Sequence, residues 1–112
     1  MEEVFQMIDL VRLKQYEIDS IVNLFKKYFD TNDHLWIFGS RTNLTARGGD
    51  IDLYIETEIS QADLVLSQKS KFVLALYEEI GEQKIDVVIN MLASKVRLPM
   101  HEIARQTGVL LV

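Results

Sequence analysis

Two aspartates near the middle of the chain have the residue type and spacing of a metal site. Asp50 and Asp52 flank Ile51 at the start of an alternating apolar stretch, and side chains two residues apart on a strand point to the same side. Two carboxylates held that close repel each other unless a cation lies between them. Hard oxygen ligands of this kind favour Mg²⁺ or Mn²⁺, which complete their shells with water and substrate phosphates. The pair therefore predicts a divalent metal site.

A glycine–serine pair precedes these aspartates. Gly39 and Ser40 follow the apolar run at residues 35–38, so we expect a buried strand to end there and a short helix to begin. Glycine lets the backbone approach a phosphate closely, and the serine hydroxyl and the following amides can donate hydrogen bonds to it. A phosphate site and a two-carboxylate metal site in one short segment indicate phosphoryl or nucleotidyl transfer.

A third carboxylate, Asp86, lies at the start of another apolar strand, and its neighbours lead us to expect that it is buried. Three carboxylates can hold two metal ions. One ion lowers the pKa of an attacking hydroxyl, and the other stabilises a triphosphate and the leaving pyrophosphate. The alternative for Asp86 is a strand-end aspartate that pairs with Lys84 or is simply exposed.

The hydrophobic pattern predicts the elements that must position these residues. Helical spacing indicates amphipathic helices over about 16–29 and 65–80, the second capped by Gly81, and Pro99 is suited to open a final helix. Strands are predicted at 35–38, 51–57, 85–89 and 109–112, while a helix and an extended segment both remain open for the first dozen residues. Strands and helices alternate, which predicts an α/β or α+β fold with helices packed on one mixed central sheet.

The composition limits the classes of function. The chain has 112 residues, which suits a single domain over residues 1–112, and its net charge of −5 argues against direct binding to nucleic acid. It has no cysteine, which excludes disulfides and thiolate metal sites. We find neither an apolar run of membrane-spanning length nor a secretory signal, so no membrane contact and a cytoplasmic location are expected.

The order and spacing of these motifs resemble those of a known family. A Gly-Ser pair, a spacer, an Asp–hydrophobic–Asp motif and a later strand-borne Asp resemble the signature of DNA polymerase β-like nucleotidyltransferases. The resemblance is closest from Trp36 to Glu56 and extends more loosely to the strand at Asp86. The small size is similar to that of the minimal nucleotidyltransferases of bacteria and archaea. The resemblance implies the palm core of that superfamily.

The resemblance also implies roles for individual residues. Gly39 and Ser40 would bind the triphosphate and Arg41 would support it. Asp50 and Asp52 would ligate both metal ions, and Asp86 would ligate the catalytic one. Many minimal members continue with Ala-Arg-Gly after this arginine. This chain instead has Thr42, Asn43 and Leu44 there, and its glycines come later, as Gly48 and Gly49. Arg47 is therefore the remaining candidate for a second arginine.

The implied reaction moves a nucleoside monophosphate, with ATP as the expected donor, to a hydroxyl acceptor with the help of two Mg²⁺ or Mn²⁺ ions. Minimal nucleotidyltransferases typically pair with a helical HEPN-domain protein, and in toxin–antitoxin versions they transfer AMP to a tyrosine of that toxin. We therefore expect an antitoxin that works in a homo- or hetero-oligomer. Two alternatives remain open: a small-molecule nucleotidyltransferase, similar to antibiotic-modifying enzymes, whose partner completes the site, and a binding module without catalysis.

Other polar residues have ordinary explanations. His34 and His101 lack the spacing of metal ligands and are expected to be surface or partly buried histidines. Four further basic residues could contact substrate or a partner, but solvated helix and loop charges explain them equally well. They are Lys69, Lys71, Lys95 and Arg97.

Overall fold

The helices and strands of the computed structural model lie close to the predicted positions. The structure describes residues 11–42, 49–81 and 83–112, without the side chain of Ser40. In chain order the elements are α1 (Gln15–Tyr28), β1 (His34–Phe38), a 3₁₀ helix (Gly39–Thr42), β2 (Ile51–Thr57), α2 (Ala62–Ile80), β3 (Ile85–Met91), α3 (Pro99–Thr107) and β4 (Val109–Leu110). The β3 strand is two residues longer than predicted, and β4 is two residues shorter.

The four strands form one mixed sheet in the order β3-β2-β1-β4. The β1 strand is antiparallel to both β2 and β4. The β2 and β3 strands are parallel, and the connection between them contains α2, as parallel neighbours require a crossover. The mixed sheet with helices packed on it confirms the predicted α+β class.

The main core lies between one face of the sheet and helices α1 and α2. Alternate strand residues point into it, among them Ile37 on β1 and Leu53 on β2, both fully buried. Phe25 of α1 and Phe72 of α2 meet edge to face, with ring centroids 6.3 Å apart, an arrangement that aromatic pairs favour. This packing fixes which side chains of β1 and β2 face the opposite side of the sheet.

The opposite face of the sheet is partly covered by α3. Ala104 of this helix packs in a small cluster with Trp36, Phe38 and Tyr54. Pro99 occupies the first turn of α3, and the His101 Nδ1 atom accepts a hydrogen bond from the Leu98 N–H at 3.3 Å. We call this side of the sheet the open face, because α3 covers only part of it.

Two further observations bear on the predictions from sequence. Gly81 ends α2 with a φ of 86°, and its N–H donates to the Tyr77 carbonyl at 3.0 Å, which confirms it as the cap. No helix in the described segments is long and apolar enough to cross a membrane.

Candidate functional site

The β2 strand places Asp50 and Asp52 on the open face. Residues of β2 alternate between the two sides, so Leu53 enters the main core while Asp52 points away from it. Asp50 comes directly before the strand and shares the side of Asp52. Both carboxylates are half-buried. The local pattern of the sequence is sufficient to produce this pair.

Parallel pairing of β2 with β3 adds the third carboxylate. Asp52 and Asp86 are direct partners in the register. Asp50, Asp52 and Asp86 each offer one carboxylate oxygen, and these three oxygens all lie within 4.8 Å of one another. The structure therefore brings together the three aspartates that were predicted as metal ligands. We call these residues the aspartate triad.

The expectation that Asp86 is buried is wrong, since the structure has this residue exposed. Its neighbours Ile85 and Val87 are buried, as the apolar run predicted. Asp86 alternates with them and points to the open face, at a place that α3 leaves uncovered. An exposed third carboxylate is accessible to a cation or a substrate from solvent.

The glycine at the end of β1 lies against the triad. Phe38 pairs with Asp52, so Gly39 begins the 3₁₀ helix directly beside that carboxylate. Gly39 has a φ of 75°, and a Cβ atom placed on it would overlap Oδ2 of Asp52. Only glycine fits both the backbone conformation and this close approach. Ser40 follows within the 3₁₀ helix, while Arg47 and Gly48 lie outside the described residues.

Arg41 is held by the backbone of the segment before α1. Its Nη1 atom donates to the Arg12 carbonyl at 2.9 Å, and the Arg12 N–H donates to the Arg41 carbonyl at 2.7 Å. These contacts fix the turn after Gly39 against the start of the described chain. A contact between Arg41 and a phosphate remains a prediction.

Lys84 is a cation at the triad that the sequence prediction did not place there. Its Nζ atom lies 3.4 Å from Oδ2 of Asp50, whereas the alternative considered from sequence paired it with Asp86. The hydrogen bond and charge of Asp50, followed by the charge of Asp86, raise the pKa of Lys84. The signal in the sequence was its position two residues before Asp86, directly before the strand that carries this aspartate.

The electrostatics of the triad favour a bound cation. Burial raises the pKa of Asp52, the negative charges of Asp86 and Asp50 raise it further, and Lys84 opposes the shift. A carboxylate whose ionised form is disfavoured by like charges gains most when a cation binds beside it. The donor set consists of oxygen atoms only, which suits Mg²⁺ or Mn²⁺.

A second polar cluster lies farther along the same face. The Tyr54 hydroxyl donates to Oε2 of Glu56 at 2.8 Å and accepts from Nδ2 of Asn90 at 3.0 Å. Burial is the main reason that the pKa of Tyr54 is raised to about 12. Arg105 of α3 lies 3.5 Å from the same Glu56 oxygen. All three members of this hydrogen-bond chain are buried.

This cluster forms the floor of a groove between α3 and the open face. The groove has a volume of about 970 Å³. His101 and Arg105 line its helix side, and Arg97 lies at the start of the helix, where its guanidinium donates to the carbonyl oxygens of Leu92, Ser94 and Val96. The sequence did not predict this groove, because polar residues near strand ends are usually exposed.

The remaining candidates lie outside the triad. His34 Nδ1 lies 3.1 Å from the Val112 carbonyl, at the far end of β1. Lys69 lines a surface pocket of about 700 Å³ together with Asp86. Lys71 and Lys95 are exposed.

The sequence matches no model of a known protein family, and it matches no curated protein.

Proposed function

We propose that this protein is a nucleotidyltransferase with the palm core of the DNA polymerase β-like superfamily, and that it is one of the minimal members. The aspartate triad is the observation that supports this best: three carboxylate oxygens within 4.8 Å of one another, beside a glycine turn that a side chain would block. The mixed sheet and the order of the motifs along the chain agree with it.

The three carboxylates suit a divalent ion, and the resemblance implies a pair of such ions. Asp50 and Asp52 would hold both ions and Asp86 would hold the catalytic one, as the resemblance implies. When bound, Mg²⁺ or Mn²⁺ would lower the pKa of the attacking hydroxyl and neutralise charge on the triphosphate. The three carboxylates supply the hard oxygen ligands for this, and their mutual repulsion is the energetic reason for them to accept cations.

The proposed phosphate-binding turn lies beside the metal ligands. Because Gly39 has no side chain, the backbone at the end of β1 packs directly against the carboxylate of Asp52. Ser40 is the proposed hydrogen-bond donor to the phosphates. Lys84, with its ammonium group next to Asp50, compensates part of the negative charge of the triad before a metal–nucleotide complex arrives.

We propose that the acceptor is a tyrosine hydroxyl of a partner HEPN toxin, with AMP from ATP as the transferred group. Exposed apolar side chains near α3 support a protein partner: Leu98, Met100 and Ile103 are 52%, 45% and 51% exposed. Apolar surface of this kind often marks a protein–protein contact. A partner that brings its own hydroxyl would supply the positioning that phosphoryl transfer requires.

The test combines this protein with ATP, Mg²⁺ and the HEPN-domain protein that we expect its neighbouring gene to encode. We expect the HEPN protein to gain the mass of one AMP on a tyrosine. Asp52→Asn and Asp86→Asn should each abolish the modification and still form the complex, because both variants replace a carboxylate by an amide of the same size. Asp63→Asn is the matched control: it removes an exposed aspartate on the first turn of α2 and should leave the modification unchanged.

A stable complex that never gains mass, with several nucleotides and with Mn²⁺ as well, would overturn the transferase proposal in favour of a binding module. Modification of a small hydroxylated compound in place of the HEPN protein would overturn the antitoxin role alone.

A further inference from the structure

The direction of the hydrogen bonds in the groove leaves one acceptor unused. The Tyr54 hydroxyl has a single proton, which it donates to Glu56, so it must accept from the amide nitrogen of Asn90. This fixes the orientation of the Asn90 amide. Its Oδ1 atom is buried and has no hydrogen-bond partner among the described residues, although the residue is only 4% exposed.

An unused buried acceptor in a groove indicates what the groove would bind. Leaving such a group unpaired is unfavourable. The atom has almost no accessible surface, so a ligand gains this hydrogen bond once the Asn90 amide turns toward the groove. The carboxylate of Glu56, at the same floor, can also accept more hydrogen bonds than the two contacts described. The floor therefore favours a ligand with N–H donors.

The charges around the groove do not favour a phosphate. Glu56 and Glu102 balance Arg97 and Arg105. Burial, followed by the charge of Arg97, lowers the pKa of His101, so this histidine is neutral at neutral pH. The lining is thus neutral overall, in contrast to the triad.

The groove lies on the same face of the sheet as the triad, close enough for one nucleotide to contact both. Tyr54 and Glu56 follow Asp52 on the same side of β2, at roughly 7 and 13 Å along the strand. Asp86, Val88 and Asn90 make the same progression on the adjacent strand, in register with them. A nucleotide with its phosphates at the triad would extend its uncharged end along this face toward the groove.

We propose that the groove binds the nucleobase of the donor nucleotide and recognises an exocyclic amino group on it through Asn90. This proposal rests on the proposed nucleotidyltransferase function and adds the basis of its choice of base. Amide side chains recognise adenine in this way, by accepting from its N6 amino group, and the Glu56 carboxylate offers a second acceptor. Bases without an amino group would leave the Asn90 oxygen unpaired.

The experiment compares ATP with purine riboside triphosphate, which differs only in lacking the amino group. Binding of each to the full chain with Mg²⁺ is measured by calorimetry without an acceptor. We expect ATP to bind about tenfold more tightly, the difference that one hydrogen bond of about 1.4 kcal/mol produces. In Asn90→Ala the two nucleotides should bind equally. Gln61→Ala, an exposed amide before α2, is the matched control and should keep the preference.

Nuclear magnetic resonance provides a readout that needs no variant. Adding ATP and Mg²⁺ should shift the side-chain amide resonances of Asn90 and the ring resonances of His101. Equal affinities in the unmodified protein, or shifts confined to Gly39 and the triad, would overturn the groove proposal and leave the transferase proposal intact. Absence of Mg²⁺-dependent binding of either nucleotide would overturn both.

Discussion

Gly39 lies so close to Asp52 that a side chain at position 39 would displace the Asp52 carboxylate. Gly39 follows directly after β1, and Asp52 lies on the antiparallel neighbour β2, where it is the register partner of Phe38. The turn that follows β1 and the strand that carries the metal ligands are therefore built against each other. This contact makes the proposed phosphate and metal sites a single structural unit.

The first prediction concerns Gly39→Ala. Both the positive φ and the overlap with Asp52 oppose the new methyl group, so we expect a loss of about 1–3 kcal/mol of folding stability and a weakening of Mg²⁺ binding by roughly 10- to 100-fold. Urea denaturation and calorimetry measure the two effects. Gly81→Ala is the matched control, because Gly81 has a φ of 86° but nothing within 4 Å of a new Cβ. It should lose stability and retain Mg²⁺ binding; equal Mg²⁺ binding in both variants would contradict the prediction.

The second prediction concerns Lys84→Met. The ammonium group near Asp50 repels an incoming cation, so its removal should strengthen binding of Mg²⁺ alone. The pair is largely exposed, so solvent screening limits the effect to a few-fold change in affinity. Titration with Mg²⁺ in low salt measures it. Lys26→Met, in the last turn of α1, removes the same charge and should leave the affinity unchanged. Weaker Mg²⁺ binding in Lys84→Met would show that the lysine supports the ion instead.

The third prediction concerns Tyr54→Phe. The change removes the hydroxyl that links Glu56 to Asn90 and leaves two buried polar groups without that partner, so we expect a loss of about 1–3 kcal/mol in the free energy of unfolding. Tyr16→Phe is the control, because Tyr16 is 52% exposed, and it should unfold like the unmodified protein. Indistinguishable midpoints for both variants would mean that the hydrogen-bond chain contributes little to stability.

The fourth prediction is a pH dependence that arises from His101. Its pKa is lower in the folded protein than the ordinary value of 6.5, mainly through burial. Between these two values the unfolded chain binds more protons, so the contribution of His101 to stability is full above about pH 6.5 and is lost as the pH falls below it. His101→Gln should flatten the decrease in the free energy of unfolding between about pH 7 and 5. An unchanged slope in the variant would assign the decrease to other groups.

The aspartate triad could be predicted because each of its residues lies in a short, recognisable sequence pattern. Alternation along β2 alone places Asp50 and Asp52 together, and the apolar run around Asp86 predicts a strand. The exposure of Asp86 could not be read from that run. Consecutive apolar residues suggest that both faces of a strand are covered, whereas coverage of the open face depends on how far α3 extends across it.

No short sequence pattern predicted the groove. Glu56 follows the same alternation as Asp52 and would be taken for an exposed residue, yet it is 6% exposed because α3 packs over that end of the sheet. Asn90 becomes its neighbour only through the β2–β3 register. Contacts between elements far apart in sequence create this site, and local patterns do not report them.

The position of β3 at the edge of the described sheet has a consequence for cation binding. The β2 strand has a hydrogen-bonded neighbour on each side, whereas β3 pairs with β2 alone, and edge strands open more readily than central ones. A cation held by Asp52 and Asp86 would tie the edge strand to its neighbour across the register. The measured affinity for the cation would then include the free energy of keeping β3 paired with β2. Cation binding would therefore reduce local opening at this edge of the sheet.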